Sequence, residues 1–142
     1  MTVNSPSKFM KKSASLILAF IGGLTLTAHA QQVENGLVLL QKHCYSCHNP
    51  NTASHDEILA PPLFGIKNNY RNTFPEKDKF IDAMVGFINS PSEEKALMKG
   101  PIKRFGLMPK PAVSPEAIKL IVSYIEANEI QKPTWYDAHH GK

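Results

Sequence analysis

Both cysteines of this 142-residue chain lie in one short segment, His43-Cys44-Tyr45-Ser46-Cys47-His48. Cysteines with this spacing can form a disulfide, contribute to a zinc site, act as a redox dithiol or attach a haem covalently. The histidine directly after the second cysteine adds a nitrogen ligand to the two sulfurs. The rest of the chain must decide among these four kinds of chemistry.

The first three kinds of chemistry fit the chain poorly. A single disulfide across a two-residue gap would restrict little of the chain, and small stapled domains carry four or more cysteines. A structural zinc site needs four ligands. His43 and His55 are available, but Cys47 and His48 are adjacent and cannot easily bind one metal. A redox dithiol is expected beside a βαβ pattern, and none is visible.

The order Cys44-Tyr45-Ser46-Cys47-His48 is the pattern of c-type haem attachment. Two thiols at helical separation can add to the two vinyl groups on one edge of a porphyrin. The next residue can then turn its imidazole toward the iron. The sequence therefore predicts one covalently bound haem c, with its iron, at Cys44, Cys47 and His48.

The second axial position of such an iron is predicted to be filled by a methionine. Met or His in that position favours electron transfer, whereas catalysis and ligand binding need an open position. Met84 lies on the apolar stripe of a predicted helix and is interpreted as a core residue. Met98 ends a polar segment, residues 92–98, that is predicted as a short helix, and it is the alternative to Met108 as the ligand. Met108 lies between Gly106 and Pro109 on a stiff loop, which makes His48 and Met108 the predicted metal ligands.

Helical patterns precede and follow these ligands. Before the motif, one helical face is shared by Val33, Gly36, Leu37, Leu40 and Cys44. After the Met108 loop, Ser114 can cap a helix that begins at Pro115 and ends near Asn128. A middle helix is predicted for residues 75–89. Residues 49–74 and 100–113 are predicted as loops, and no strand, internal repeat or second domain is visible.

The first 30 residues have the pattern of a secretory signal peptide. Lysines precede an apolar run from about Ala14 to Leu26, and Ala28-His29-Ala30 predicts cleavage before Gln31. An uncleaved membrane anchor is the alternative, but Gly22-Gly23 interrupts the run, which is shorter than the ~20 residues that a span needs. We therefore expect an exported, periplasmic protein with no membrane span once the signal is removed.

Cleavage changes the charge balance of the chain. Three of its 16 Lys and Arg residues, and none of its 12 Asp and Glu residues, lie before residue 31. Residues 31–142 therefore carry 13 basic against 12 acidic residues, a net charge of +1. Nucleic-acid binding is not expected, because it needs a clustered basic face. The 112 residues that remain fit one small domain.

With these motifs in this order, the chain resembles a class I c-type cytochrome over nearly all of residues 31–129. The fragments that carry the resemblance are "VENGLVLLQKHCYSCH", "APPLFG", "FGLMPKP" and "SPEAIKLIVSYI". It implies an all-α, small cytochrome c fold, with three to five helices wrapped around one covalently bound haem. We accordingly predict a signal peptide at 1–30, a cytochrome c domain at 31–131 and a C-terminal extension at 132–142.

The resemblance also assigns roles to single residues. Its terminal helices cross at a glycine and an aromatic residue, here Gly36 and Tyr124, with Leu40 where an aromatic is common and with Ile121 beside them. The proline whose carbonyl accepts the hydrogen bond of the proximal imidazole corresponds to Pro61, and Leu63 would pack on the haem. The haem propionates have no assigned partner, and the candidates are Tyr70, Arg71, Lys103 and Arg104.

The resemblance implies a carrier of single electrons between redox partner proteins outside the cytoplasm. Such a protein is not an enzyme, although it can be the cytochrome subunit of a larger oxidoreductase. The alternative is a haem enzyme or ligand sensor, peroxidase-like or gas-binding, with an open sixth position and His55 as its distal base. The extension at 132–142 is expected to pack Trp135 on the body, while a docking element or a weak metal site at His139 and His140 is the alternative.

Overall fold

The computed structural model describes Met1 and residues 35–141. The chain divides into two units, Met1–Gln32 and Val33–Lys142, and the account that follows concerns the second. Apart from Met1, the predicted signal peptide and its cleavage site lie outside the described residues. Within the described residues, no helix combines the length and the apolar character that crossing a membrane requires.

Helices connected by loops make up residues 35–141, which contain no strand. In chain order the elements are α1, described over residues 35–43, a 3-10 turn at His55–Glu57, α2 (Leu63–Thr73), α3 (Lys77–Asn89), α4 (Lys99–Phe105), α5 (Pro115–Ala127) and α6 (Tyr136–His139). The predicted all-α fold is confirmed. The six α-helical segments are one more than the expected maximum, because a four-residue helix forms in the C-terminal extension.

The helix α5 has the bounds that its sequence predicts. The Ser114 hydroxyl accepts a hydrogen bond from the Ala117 N–H at 3.2 Å, and Pro115 follows as the first helical residue. Asn128 ends the helix as its C-cap. The buried stripe of α5 packs against α3 and consists of Ile118, Ile121, Val122 and Ile125. The helix α3 ends at the predicted Asn89 and begins two residues after the predicted start.

The first helix crosses α5 at Gly36. A Cβ atom at this position would lie 2.7 Å from the Tyr124 Cβ and 2.9 Å from the Leu120 carbonyl oxygen. Only glycine allows the two helices to approach so closely. One turn later, Leu40 is completely buried. The crossing that the resemblance predicted is confirmed, and it places the motif that follows α1 beside α5.

One helix lies in a segment that was wrongly predicted as a loop, residues 49–74. Leu63 and Tyr70 of α2 are buried in the core. On the same helix, the Lys67 Nζ donates to the Asn128 carbonyl oxygen at 2.5 Å, and the Arg71 guanidinium donates to the Glu126 carbonyl oxygen at 2.8 Å. These bonds satisfy carbonyl groups at the end of α5 that have no partner within their own helix. Tertiary contacts therefore stabilise α2.

The prediction was also wrong for residues 92–105. Residues 93–95 form a turn in place of the predicted helix, and α4 (Lys99–Phe105) lies almost wholly in the predicted loop of residues 100–113. Gly100-Pro101 was interpreted as a helix end. However, Pro101 is the third residue of α4, where the backbone N–H has no intrahelical partner and proline is tolerated.

Candidate functional site

An apolar cavity of about 360 Å³ lies beside the cysteine motif. Its walls come from α2, α3, α4 and α5 and from the loop after α4, and they are lined mostly by aliphatic and aromatic side chains. All six predicted site residues line this cavity, namely Cys44, Cys47, His48, Pro61, Leu63 and Met108. The structure therefore brings together residues that lie up to 64 positions apart in the sequence.

The motif continues the helical winding of α1 by one turn. The Cys44 N–H donates to the Leu40 carbonyl oxygen at 2.9 Å, and the His48 N–H donates to the Cys44 carbonyl oxygen at 2.8 Å. Residues three and four apart on such a winding are neighbours on one face. Cys44, Cys47 and His48 therefore line the cavity from the same side.

The His48 imidazole is fixed by a hydrogen bond to the backbone. Its Nδ1 donates to the Pro61 carbonyl oxygen at 2.7 Å, which is the bond that the resemblance predicted. A carbonyl oxygen only accepts, so Nδ1 carries the proton and Nε2 keeps a free lone pair. Burial lowers the pKa of His48, and the bond to Pro61 acts in the opposite direction. The neutral ring that burial favours is the form that binds a metal.

The cysteine thiols do not form a disulfide. Cys44 is half-buried and Cys47 is exposed. Burial, and after it the neighbouring Cys47, raises the pKa of Cys44 to about 11, so this residue is a thiol at neutral pH. Zinc binding and disulfide exchange both use the thiolate. Moreover, no three His, Cys, Asp or Glu side chains in the described part of the chain are grouped to hold a metal. These observations argue against the zinc and dithiol interpretations.

All three methionines downstream of the motif line the cavity, but in different settings. Met84 is 3% exposed and belongs to the core through α3. Met98 is the N-cap of α4. Met108 is held by a loop whose first residue, Gly106, has the positive φ of 80° that favours glycine. Of the three methionines, only Met108 lies in a loop, outside any helix or helix cap.

The family of the chain is decided by comparison with known proteins. The family model for cytochrome c matches residues 33–129, about two thirds of the chain. The chain belongs to the cytochrome c family. An uncharacterized protein of Aquifex aeolicus (strain VF5) is 25% identical over 130 residues, with 78% of this chain and 84% of the relative covered. No solved structure matches the chain significantly.

This cytochrome binds haem c covalently, and the donor set at the cavity fits that group. Cys44 and Cys47 would supply two thiols for thioether bonds, and His48 would supply a neutral imidazole with a free Nε2. The same cavity contains a thioether sulfur from Met108 and walls that are almost wholly apolar. A large, flat, mostly hydrophobic ligand with one metal centre matches this combination.

Of the four candidates for contact with the haem propionates, only Tyr70 lines the cavity of the cytochrome. It is 5% exposed, and burial raises the pKa of Tyr70 to about 12, which keeps its phenol protonated as a donor. Arg71 instead forms an ion pair with Glu126 at 2.9 Å. Arg104 contacts the 3-10 turn, and Lys103 is exposed.

His55 lies outside the haem cavity of the cytochrome. Its ring stacks on His139 with 3.5 Å between the centroids, and Trp135 meets it edge-on at 5.5 Å. The rings of His139 and His140, the suggested metal site at the tail, meet edge-on with 5.1 Å between their centroids. No third His, Cys, Asp or Glu side chain of the described residues joins them in a metal-binding group, so this site gains no support. The expected packing of Trp135 on the body is confirmed, because its indole N–H donates to the Thr52 carbonyl oxygen at 3.0 Å.

Two signals in the sequence were missed. The segment before Tyr70 was interpreted as a loop, although helical spacing from Leu63 through Ile66 to Tyr70 puts three apolar residues on one face. The second signal is Gly65, a small residue that allows the extension to pack. A Cβ atom on Gly65 would lie 2.8 Å from the Tyr136 hydroxyl oxygen.

Proposed function

We propose that this cytochrome carries single electrons between redox partner proteins outside the cytoplasm, with His48 and Met108 as the axial ligands. The observation that carries the proposal is that both side chains line one apolar cavity, in which the His48 ring is already oriented by Pro61. When bound, haem supplies an iron that changes between the ferrous and ferric states. Two protein ligands leave no position for a substrate.

The residues of the site support this chemistry in separate ways. The bond to the Pro61 carbonyl orients the His48 ring and raises its basicity as a ligand. The soft sulfur of Met108 favours the ferrous state, so the reduction potential is higher than with two histidines. The apolar side chains that line the cavity exclude water. Because the ligands are held by protein on both sides, oxidation and reduction require little rearrangement.

Two exposed leucines offer a place for redox partners to make contact. Leu59 and Leu107 both line the cavity, and they are 71% and 39% exposed. Apolar side chains at the surface beside a redox site suit brief docking. The net charge of +1 over residues 31–142 provides little long-range steering. We propose that partner choice depends on local contacts around these leucines.

The alternative function, a haem enzyme or ligand sensor, receives no support from the described residues. Its expected distal base was His55, which lies in the 3-10 turn and does not line the cavity. The location outside the cytoplasm that we propose rests on the signal peptide predicted from the sequence of residues 1–30.

A spectroelectrochemical titration of the holoprotein tests the proposed function. We expect one Nernst curve with a single-electron slope, the same in the oxidative and reductive directions, and identical spectra after repeated cycles. Hydrogen peroxide added to the ferric protein is expected to be consumed no faster than in a control that contains free haem at equal concentration. Rapid turnover of peroxide, or a spectrum that changes after one cycle, would favour the enzyme class instead.

A further inference from the structure

The carbonyl that orients His48 belongs to a loop with little structure of its own. This loop, residues 49–62, is called the proximal loop here. It contains one 3-10 turn, and its buried side chains are Pro50 and Ile58, the latter 8% exposed. A segment of this kind has few internal contacts to fix the position of one carbonyl oxygen. The 2.7 Å bond between His48 and Pro61 therefore depends on what holds the loop from outside.

Gln131 and the C-terminal extension that follows it contact the first half of the proximal loop at three successive points. The Gln131 side-chain amide donates to the Asn51 side-chain oxygen at 2.7 Å. The Trp135 indole N–H donates to the Thr52 carbonyl oxygen at 3.0 Å and lies 3.3 Å from the hydroxyl of the same residue. The third contact is the stack of His139 on His55. These partners are 80 or more positions apart in the sequence.

The same extension is anchored on α2, which begins directly after the proximal loop. The Tyr136 ring meets Phe64 edge-on at 5.1 Å, and its hydroxyl fills the space beside Gly65. Pro133 is completely buried, and Lys132 and Asp137 form an ion pair at 2.5 Å within the extension. The extension therefore contacts the chain on both sides of Pro61.

We propose that residues 130–141 are a clamp that positions the Pro61 carbonyl against the Nδ1 of His48. Trp135 is the central positioning residue of the clamp, since it contacts both Thr52 and His55. The clamp acts on the iron ligand only through the proximal loop and touches no ligand itself. The inference rests on the proposed function only in taking His48 as an axial ligand.

Exchange of the His48 Nδ1 proton in the ferrous holoprotein, followed by NMR in D₂O, tests the clamp. Trp135→Phe keeps an aromatic ring but removes the indole donor, and it should speed exchange about fivefold, the effect of one lost hydrogen bond. Trp135→Ala should speed it further. Weaker donation to Pro61 makes His48 a poorer donor to ferric iron, so both variants should also raise the reduction potential.

Phe74→Ala is the matched control, because Phe74 is a half-buried aromatic that packs on Tyr70, away from the clamp. It should lower the free energy of unfolding without changing the exchange rate of the His48 proton or the potential. Exchange within twofold of wild type in both Trp135 variants would overturn the clamp. Equal acceleration in Trp135→Ala and Phe74→Ala would overturn it too, since general loss of stability would then explain the effect.

A second variant keeps the test decisive should Trp135→Ala fail to fold. His139→Ala removes the stack on His55 from an exposed position and should give the same direction of change as Trp135→Phe. No change in either variant would overturn the proposal. The exchange rate of the His48 proton reports only on the His48 side of the site. The clamp can therefore be disproved while the tests of Met108 and of electron transfer succeed, and those tests can fail while the clamp is supported.

Discussion

Replacing Met108 by alanine should abolish the far-red charge-transfer band that ferric haem shows when methionine is bound. The reduction potential should fall by on the order of 100 mV or more, a part of the roughly 0.8 V over which axial ligands set haem potentials. The physical reason is the loss of a soft sulfur that favours ferrous iron. The vacated position should also let carbon monoxide bind to the reduced variant. Absorption spectra and a redox titration measure all three effects.

Two other methionines at the same cavity provide controls for this substitution. Met98→Ala removes the N-cap residue of α4 and should leave the band and the potential near their wild-type values. Met84→Leu conserves volume at a core position that is 3% exposed, so it should cost less than about 1.5 kcal/mol and keep the band. A band that survives Met108→Ala and disappears in Met98→Ala would assign the ligand to Met98.

Removing the cysteines should have the second large effect, on retention of the haem. Cys44→Ala and Cys47→Ala should each lose one thioether link, because each thiol lies in the cavity on the same side as His48. The double variant should release all of its haem on acid-acetone extraction, whereas the wild-type protein should keep it after denaturation. The pyridine haemochrome spectrum counts the remaining links, and the mass of the polypeptide shows whether the haem has stayed attached.

Ser46→Ala is the matched control for the cysteine variants. Ser46 is exposed between the two cysteines, and its hydroxyl lies 3.9 Å from the Cys47 sulfur. This variant should retain both links. Recovery of a colourless wild-type polypeptide with two free thiols would contradict covalent attachment at this motif.

Features that depend on neighbours in the sequence could be predicted. The cap, the proline and the apolar stripe of α5 lie within 15 residues, and the spacing of Cys44, Cys47 and His48 is itself the chemical signal. The bond between His48 and Pro61 spans 13 residues, and it was accessible only through resemblance to a family. Interactions between neighbouring residues are enough to predict a helix or a closely spaced set of ligands. The backbone carbonyl that accepts a hydrogen bond from a side chain can be identified only when the fold is known.

Features that depend on distant partners could not be predicted. The helix α2 has no side-chain cap, and its Lys67 and Arg71 bond to carbonyl groups 61 and 55 positions away. Nothing near Arg71 in the sequence indicates Glu126 as its partner. In the same way, the contacts of the extension with the proximal loop follow from the fold, and the sequence alone predicted only that Trp135 would pack on the body.

The most direct test of a closed, six-coordinate iron is the addition of carbon monoxide to the reduced wild-type holoprotein. With both His48 and Met108 bound, no position is free, and the spectrum should be unchanged at neutral pH. Rapid conversion to a carbon monoxide adduct, seen as a shift of the Soret band, would show an open or easily vacated sixth position. That result would contradict the electron-carrier account and favour a ligand-binding or catalytic role for this cytochrome.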